Sequence, residues 1–357
     1  MSQFIQLHLL TSYPPANLNR DDQGRPKTAK MGGSERLRVS SQSLKRNWRI
    51  SDVFDDALKT EQTNRIGIRT KLLGVNIYKG LLNKAVKEKD AVKWAQLIAS
   101  QFGKLKKEDK NDVLAGLEIE QLVHISQAEN NAINALVETI ATEQREPEKE
   151  ELDLLRKSER DVDMALFGRM LASSPEFNVE AACQVAHAIS VHPVIIEDDY
   201  FTAVDDLNNN EDTGAAHIGE AGFAAGLFYT YICINKTQLI ENLDNDKALA
   251  DKALAALTEA AVKVSPQGKQ NSFATRAYAS YVLAEMGEQQ PRSLSASFLK
   301  AIDKQESDDF EVTAIARLRK QYQAFDDVYG QCADARYELS VAESKGKLTE
   351  LLAFVSE

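Results

Sequence analysis

Arg36–Arg49, RLRVSSQSLKRNWR, reads as a strand handing over to a helix. Arg36, Leu37, Arg38 and Val39 alternate basic and apolar, the period of a short strand with one wet face. Ser40 or Ser41 then offers an N-cap oxygen, and Gln42–Arg49 continues without a breaker. Leu44 and Trp48 stand four apart on an apolar face, while Lys45 and Arg49, likewise four apart, share a flank with Arg46. A helix N-terminus with free N–H groups, serine hydroxyls and three cations beside it suits phosphate.

Working outward, Asn19–Arg49 holds nine basic residues against three acids, a local +6 in a chain of net charge −11, so the rest sums to −17. A single basic island on an acidic chain points to a local polyanion site. Arg20, Lys27 and Lys30 therefore join Ser40, Gln42, Lys45, Arg46 and Arg49 as candidate contacts to a polyanion. Gly24, Pro26, Gly32 and Gly33 make the first half of the island a loop, expected to be mobile unless a polyanion or a neighbouring subunit orders it. Charge alone leaves a second reading open, a solvated basic face beside an acidic partner surface.

At 357 residues, 43% hydrophobic and 27% charged, the chain has ordinary globular composition and room for one large or two ordinary domains. It shows no long apolar run and no charged-then-apolar leader, so neither a membrane span nor a signal peptide is expected. Cys183, Cys233 and Cys332 are far apart and odd in number, which fits reduced thiols of a cytoplasmic protein. The five histidines form no close metal-ligand spacing with them, and no metal or other cofactor is expected.

Phe4–Leu10 alternates as a first strand. From residue 51 to 172 helical periodicity takes over, with helices expected at Thr70–Val86, Asp90–Phe102, Ile119–Gln144 and Arg160–Ala172. Val185–Val191 reads as a strand. The acidic, Asn- and Gly-rich stretch 193–222 is too long for an ordinary connection and should be functional. Phe223–Asn235 is the clearest strand of all. Helices at about Lys236–Leu243 and Asp246–Val262, a loop at Pro266–Gln270, a strand at Phe273–Met286 and helices at Ser297–Phe325 and Lys345–Phe354 complete the chain. Setting aside the helical insertion and 193–222 leaves strand, helix, strand, strand, helix, strand, the ferredoxin-like order shared by RNA-recognition (RRM-like) folds. Periodicity alone does not settle that α+β assignment.

The run RVSSQSLKR (Arg38–Arg46), preceded by LNRDD (Leu18–Asp22), resembles the N-terminal signature of the CasC family, the repeated backbone subunit of Cascade, the type I-E CRISPR surveillance complex. The resemblance recurs in ALFGRML (Ala165–Leu171), VAHAISVH (Val185–His192), DDYFTAVDDL (Asp198–Leu207), GAAHIG (Gly214–Gly219) and GKQN (Gly268–Asn271), in order along essentially the whole chain. It implies a ferredoxin-like palm (1–58, 179–192 and 223–357), a helical fingers insertion (59–178) and a thumb (193–222). It also implies a cytoplasmic, non-catalytic protein that polymerises along crRNA beside further copies of itself and other Cascade subunits, and presents the guide to target DNA by base pairing. In relatives the residues matching Phe201 and Met170 pinch the RNA and turn out one base at intervals, and finger lysines hold DNA. The lysines here are Lys104, Lys106, Lys107 and Lys110, and the acidic run Glu143–Glu151 counts against a wider basic surface.

Read by themselves, Tyr200, Phe201, Ala203 and Val204 are apolar residues in an acidic segment, either stacked on a base or packed back on the domain. The Gln267–Asn271 loop places Gln267, Lys269, Gln270 and Asn271 as donors for sugar and phosphate, although a plain turn reads nearly as well. The main rival is a metal-dependent ribonuclease built on His192 with Glu197, Asp198, Asp199, Asp205 and Asp206. Consecutive carboxylates cannot all face one ion in a regular element, which weakens it. A Ser–Lys dyad of Ser43 or Ser41 with Lys45 lacks any oxyanion signal. A protein–protein adaptor built from the helical region is the remaining alternative.

Overall fold

The computed structural model describes residues 2–59, 65–107, 109, 112, 114–203, 217–306 and 308–357. In chain order the elements begin β1 (Phe4–Ala16), β2 (Thr28–Met31), β3 (Ser34–Val39), α1 (Ser41–Arg49), α2 (Asp52–Leu58), β4 (Ile68–Thr70), α3 (Leu73–Asn83) and α4 (Glu88–Ala99). Next come β5 (Val123–Ile125), α5 (Gln127–Glu143), α6 (Val162–Phe167), β6 (Cys183–Val185), β7 (Ala188–Ser190), β8 (Glu197–Ala203) and β9 (His217–Asn235). The last are α7 (Lys236–Asn242), α8 (Lys247–Lys263), α9 (Gln270–Phe273), β10 (Tyr281–Gly287), α10 (Phe310–Tyr329), β11 (Ala335–Ser340) and α11 (Leu348–Ser356). Among the described residues no helix is long and apolar enough to cross a membrane. The chain is mixed α+β and divides into two compact units, Met1–Ala57 with Gln184–Asn235 and Leu254–Glu357, and Leu58–Cys183 with Lys236–Ala253.

The first unit is organised by a large antiparallel sheet in the order β11–β10–β1–β9–β7–β3–β2. β1 lies between β10 and β9, so both of its edges are paired, and Ile5–Thr11 are buried on both faces. Leu10, Tyr229, Tyr281 and Leu283 pack with Phe298, Ile302 and, from α10, Ala314, Ile315 and Leu318. The opposite face is equally closed, with Ile5, Leu7, Ile232, Ile234 and Val282 all buried. Buried charge on the α10 side survives through pairing: His8 bonds Tyr229 and Glu285, and Glu285 also accepts from Arg292 and Arg336. Burial alone would raise the Glu285 carboxyl, but those bonds hold it at about 2. With both faces of the central strands shut, any nucleic-acid surface here must be built from edges and loops.

The second unit packs α3, α4 and α5 around Leu81, Trp94, Ile98, Leu136 and Ile140, and carries the small sheet β4–β5. Asn242 closes it, its amide donating to the Ala165 and Glu180 carbonyls.

Several sequence expectations are corrected. Ile119–Gln144 is not one helix: Val123–Ile125 forms β5, and α5 starts at a capping box in which Ser126 and Glu129 satisfy each other's backbone N–H. The Arg160–Ala172 helix stops at Phe167, because Gly168 takes φ +80°. The long C-terminal helix begins at Phe310, where the Asp309 carboxylate caps the Glu311 and Val312 N–H groups, instead of at Ser297. Phe273–Met286 becomes a strand only from Tyr281, since Ala274 is left-handed.

The supposed loop before Arg36 is partly a hairpin. Gly32 and Gly33, at φ +58° and +80°, form the two-residue turn that joins β2 to β3. A Cβ on Gly32 would stand 1.5 Å from the Leu299 carbonyl oxygen, so that turn sits directly on Leu299. Arg36 does not lie on a wet face. It is fully buried and donates to the Ser190 and Phe298 carbonyls at 2.9 and 3.0 Å. The 193–222 stretch is also ordered where described: β8 pairs with a β9 that starts at His217. Val204, Asp205, Asp206 and the Gly214–Ala216 part of GAAHIG lie outside the described residues.

Candidate nucleic-acid interface

The N-terminus of α1 is built by two short motifs meeting. Ser40 is the N-cap, with extended backbone, and its hydroxyl accepts from Ser43 N–H at 3.3 Å. Its own N–H donates to Asn19 Oδ1 at 2.9 Å, which fastens LNRDD to RVSSQS. Asp21 Oδ1 accepts from Gln23 and Arg25 N–H, and Lys27 N–H donates to the Asn19 carbonyl, so the turn after Asn19 is closed on itself. Buried Asn17 donates to the Gly24 and Gly222 carbonyls at 2.9 Å each. The Gln267–Asn271 loop abuts the same place, because a Cβ on Gly268 would lie 2.3 Å from the Leu18 carbonyl oxygen. Three segments distant in sequence therefore converge around Asn17–Arg20.

On this frame Arg20, Gln42, Arg46, Gln267 and Asn271 are exposed, and Lys27, Lys45, Arg49 and Lys269 are half-buried. α1 carries no acid in its first turn and Arg46 and Arg49 in its last. Lys30 stands apart, exposed near the tip of the β2–β3 hairpin opposite Glu35. Gln270 turns inward, donating to the Pro266 carbonyl and Thr275, so it shapes its loop.

The β8–β9 hairpin leaves the same region. Asp198 pairs with Arg25 at 2.9 Å, one acidic-to-basic contact within the chain itself, both groups too exposed for it to contribute much. Phe201 is 43% exposed and Tyr200 65%, on opposite faces of β8. The face carrying Phe201 continues through the cross-strand partner pairs Asp199–Ala221 and Glu197–Phe223. Phe223 meets Phe273 at 5.9 Å between ring centres, so this face leads back toward the Gln267–Asn271 loop.

In the second unit Met170 is 81% exposed, between buried Arg169 and buried Leu171. By its apolar neighbours alone it reads as helix core; the glycine before Arg169, which ends α6, is the one signal against that. Lys104 and Lys106 are paired with Glu120 and Glu118, at 3.0 and 2.6 Å, whereas Lys107 is exposed and Lys110 lies outside the described residues.

The same unit buries an ionisable cluster that sequence reading missed. Asp163 bonds His124 and Gly67 N–H, while Asp161 accepts from Gln127 N–H. Burial pushes the Asp161 carboxyl up to about 7, aided by Asp163 and Glu129, against the Gln127 N–H and Arg65. Its folded value lies above the unfolded one, so its contribution to stability is full at low pH and is lost as pH rises through about 7. Thermal melts should show the wild type losing stability between mildly acidic and mildly alkaline buffer. Asp161→Asn should flatten that slope, and an unchanged slope would remove Asp161 as its source.

His192 is engaged as structure. Its Nδ1 bonds the Pro193 carbonyl, its Nε2 accepts from Leu227 N–H at 3.1 Å, and its ring stacks on Phe310. That tautomer is neutral, and burial lowers the pKa further, so neither nitrogen is available to a phosphodiester. Among the described residues no group of His, Cys, Asp and Glu is arranged to hold a metal ion; Asp205 and Asp206 lie outside them. None of the three cysteines is in a disulfide.

Residues 5–353 match a family model described as CT1975-like protein. A chain of a "CRISPR RNA-guided surveillance complex, pre-nicking" aligns with TM-score 0.85 and 28% identity over 99% of both chains. A chain of a "CRISPR RNA-guided surveillance complex" gives TM-score 0.74 at 24% identity over 99% of both, a likeness of fold. Comparison with curated proteins returns no match.

Proposed function

The chain belongs to the CT1975-like protein family, the CasC family its motifs resemble, and we propose that it is a crRNA-binding backbone subunit of a type I-E Cascade complex. The observation that carries this reading is the capped N-terminus of α1, tied to Asn19 beside Arg20 and close to the Gln267–Asn271 loop, with Lys45, Arg46 and Arg49 following along the same helix. Free N–H groups, hydroxyls and cations at a helix start bind backbone phosphate without reading sequence. The order β10–β1–β9–β7, with α1 and α8 as the intervening helices in sequence, supports a ferredoxin-like palm. The second unit corresponds to fingers and the β8–β9 hairpin to a thumb. Exposed Phe201 and Met170 are the residues that would displace a base, and Lys104, Lys106, Lys107 and Lys110 are the candidate contacts to target DNA. The protein binds beside further copies of itself and other Cascade subunits, and base pairing supplies the specificity.

The test is purification with and without a CRISPR transcript, followed by ultraviolet absorbance and extraction of bound RNA. Protected RNA retained through a salt wash supports the assignment, and a nucleic-acid-free protein in both preparations overturns it. Cleavage of that RNA in Mg²⁺ or Mn²⁺, abolished by His192→Ala, would reinstate the nuclease.

A further inference from the structure

Gly219 poses a question that backbone geometry does not answer. Glycine weakens a strand interior, and it is usually kept where a left-handed φ or a close backbone approach demands it. Among the described residues the glycines with positive φ are Gly24, Gly32, Gly33, Gly168, Gly330 and Gly346, and Gly219 is not one of them. What stands over it is a ring. Gly219 is the register partner of Phe201, and a Cβ built on it would lie 2.3 Å from Phe201 Cζ, 2.7 Å from Cε1 and 2.9 Å from Cε2. Those are separations that non-bonded Cβ atoms essentially never show, and all three atoms belong to one aromatic ring. The far end of the Phe201 ring lies across the hairpin, over a position in the opposing strand that lacks a side chain.

We propose that Gly219 is the positioning residue for Phe201, a seat that holds the ring in one orientation before RNA arrives. This rests on the reading of Phe201 as the residue that meets a base. An aromatic laid over a cross-strand glycine covers backbone that would otherwise be wet and gives up its rotamer freedom in advance. A ring already oriented loses less on stacking than one swinging on an exposed strand. The arrangement also explains why Phe201, 43% exposed, is not simply loose: the far end of its ring rests over Gly219. Any side chain at 219 evicts the ring while leaving its chemistry intact. Because the clashing atoms are the far end of a side chain, the strain falls on the ring and not on the β8–β9 ladder. Valine at 219 also suits a strand better than glycine does.

The experiment is a double-mutant cycle on the RNA-loaded protein, read by a fluorescent adenine analogue placed in turn along the guide, bright where it is unstacked. Wild type should show bright positions at a fixed spacing. Phe201→Ala should dim them, Gly219→Val should dim them to a similar extent, and the double variant should be no dimmer than Phe201→Ala alone. Gly219→Ala provides the same eviction should the valine variant express poorly. If Phe201→Ala dims the signal while both Gly219 variants keep wild-type brightness, the seat is wrong and the wedge stands. Additive losses in the double variant likewise overturn the seat, because Gly219 then acts independently of the ring. If Phe201→Ala changes nothing, the role of Phe201 itself fails, and the seat falls with it.

Discussion

Replacing Glu129 by glutamine is expected to cost about 3–5 kcal/mol, lowering the denaturant midpoint of the chain sharply, because it strands a buried guanidinium. Arg169 and Glu129 are 1% and 0% exposed, and Arg169 Nη1 lies 2.8 and 2.9 Å from the two carboxylate oxygens. The carboxylate has further duties: it accepts from Ser126 N–H in the capping box and from Arg156 N–H. Arg169 spends its remaining N–H groups on the Phe177 and Arg156 carbonyls. Every group in this knot is satisfied by another, so removing one charge leaves its partner in low dielectric with neutral acceptors alone. Glu120→Gln, which breaks the exposed pair with Lys104, is the contrast and should hardly move the midpoint. A Glu129 variant as stable as that control would mean that water or relaxation screens the buried cation. The knot bears on function through its position, since Arg169 fixes the chain immediately before exposed Met170.

That relation was only half legible in the sequence. The strand-to-helix hand-over at Val39–Ser41 could be read directly, because alternation, a serine cap and an unbroken helical run all agree locally. So could the strand ending at Asn235, whose apolar run is bounded by polar residues. FGRML could not be read without the fold. Its apolar letters fit a helix, but the helix ends at a left-handed glycine, and the arginine after it is clamped by Glu129, forty residues away in sequence. Arg36 failed for the mirror reason. Alternation placed it on the wet face of a strand, but two backbone carbonyls, each more than a hundred and fifty residues away, hold it inside. The convergence of Asn17–Arg20, Ser40 and Gln267–Asn271 belongs to the same class: composition suggested the donors, and only the Ser40–Asn19 hydrogen bond and the close approach of Gly268 to Leu18 bring them together. Gly219 had the faintest signal, a glycine in a run of small residues whose partner lies beyond an intervening segment.

Changing Lys45 and Arg46 together to glutamine is expected to reduce RNA affinity for every sequence alike, and most strongly at low salt. Each phosphate neutralised on a single strand contributes about 0.7 to the slope of log affinity against log salt, so losing two should flatten it by about 1.4. If the two lines converge near 1 M salt, where released counterions give no further gain, affinity at 0.1 M should fall about 25-fold. The pair is chosen because both lie on α1 behind the Ser40 cap, on a helix whose first turn has no acid to compete with phosphate. Glutamine keeps the stem and the helix propensity, so circular dichroism and the melting point should stay put while binding changes. The base-displacement pattern should also survive, since spacing belongs to the wedge and holding belongs to the phosphates. A double variant with the wild-type salt slope would show that these cations face solvent, and the phosphate track would then have to run past Arg20 and Lys269 instead. A drop in affinity with an unchanged slope would point to lost packing of the two aliphatic stems, which salt does not screen.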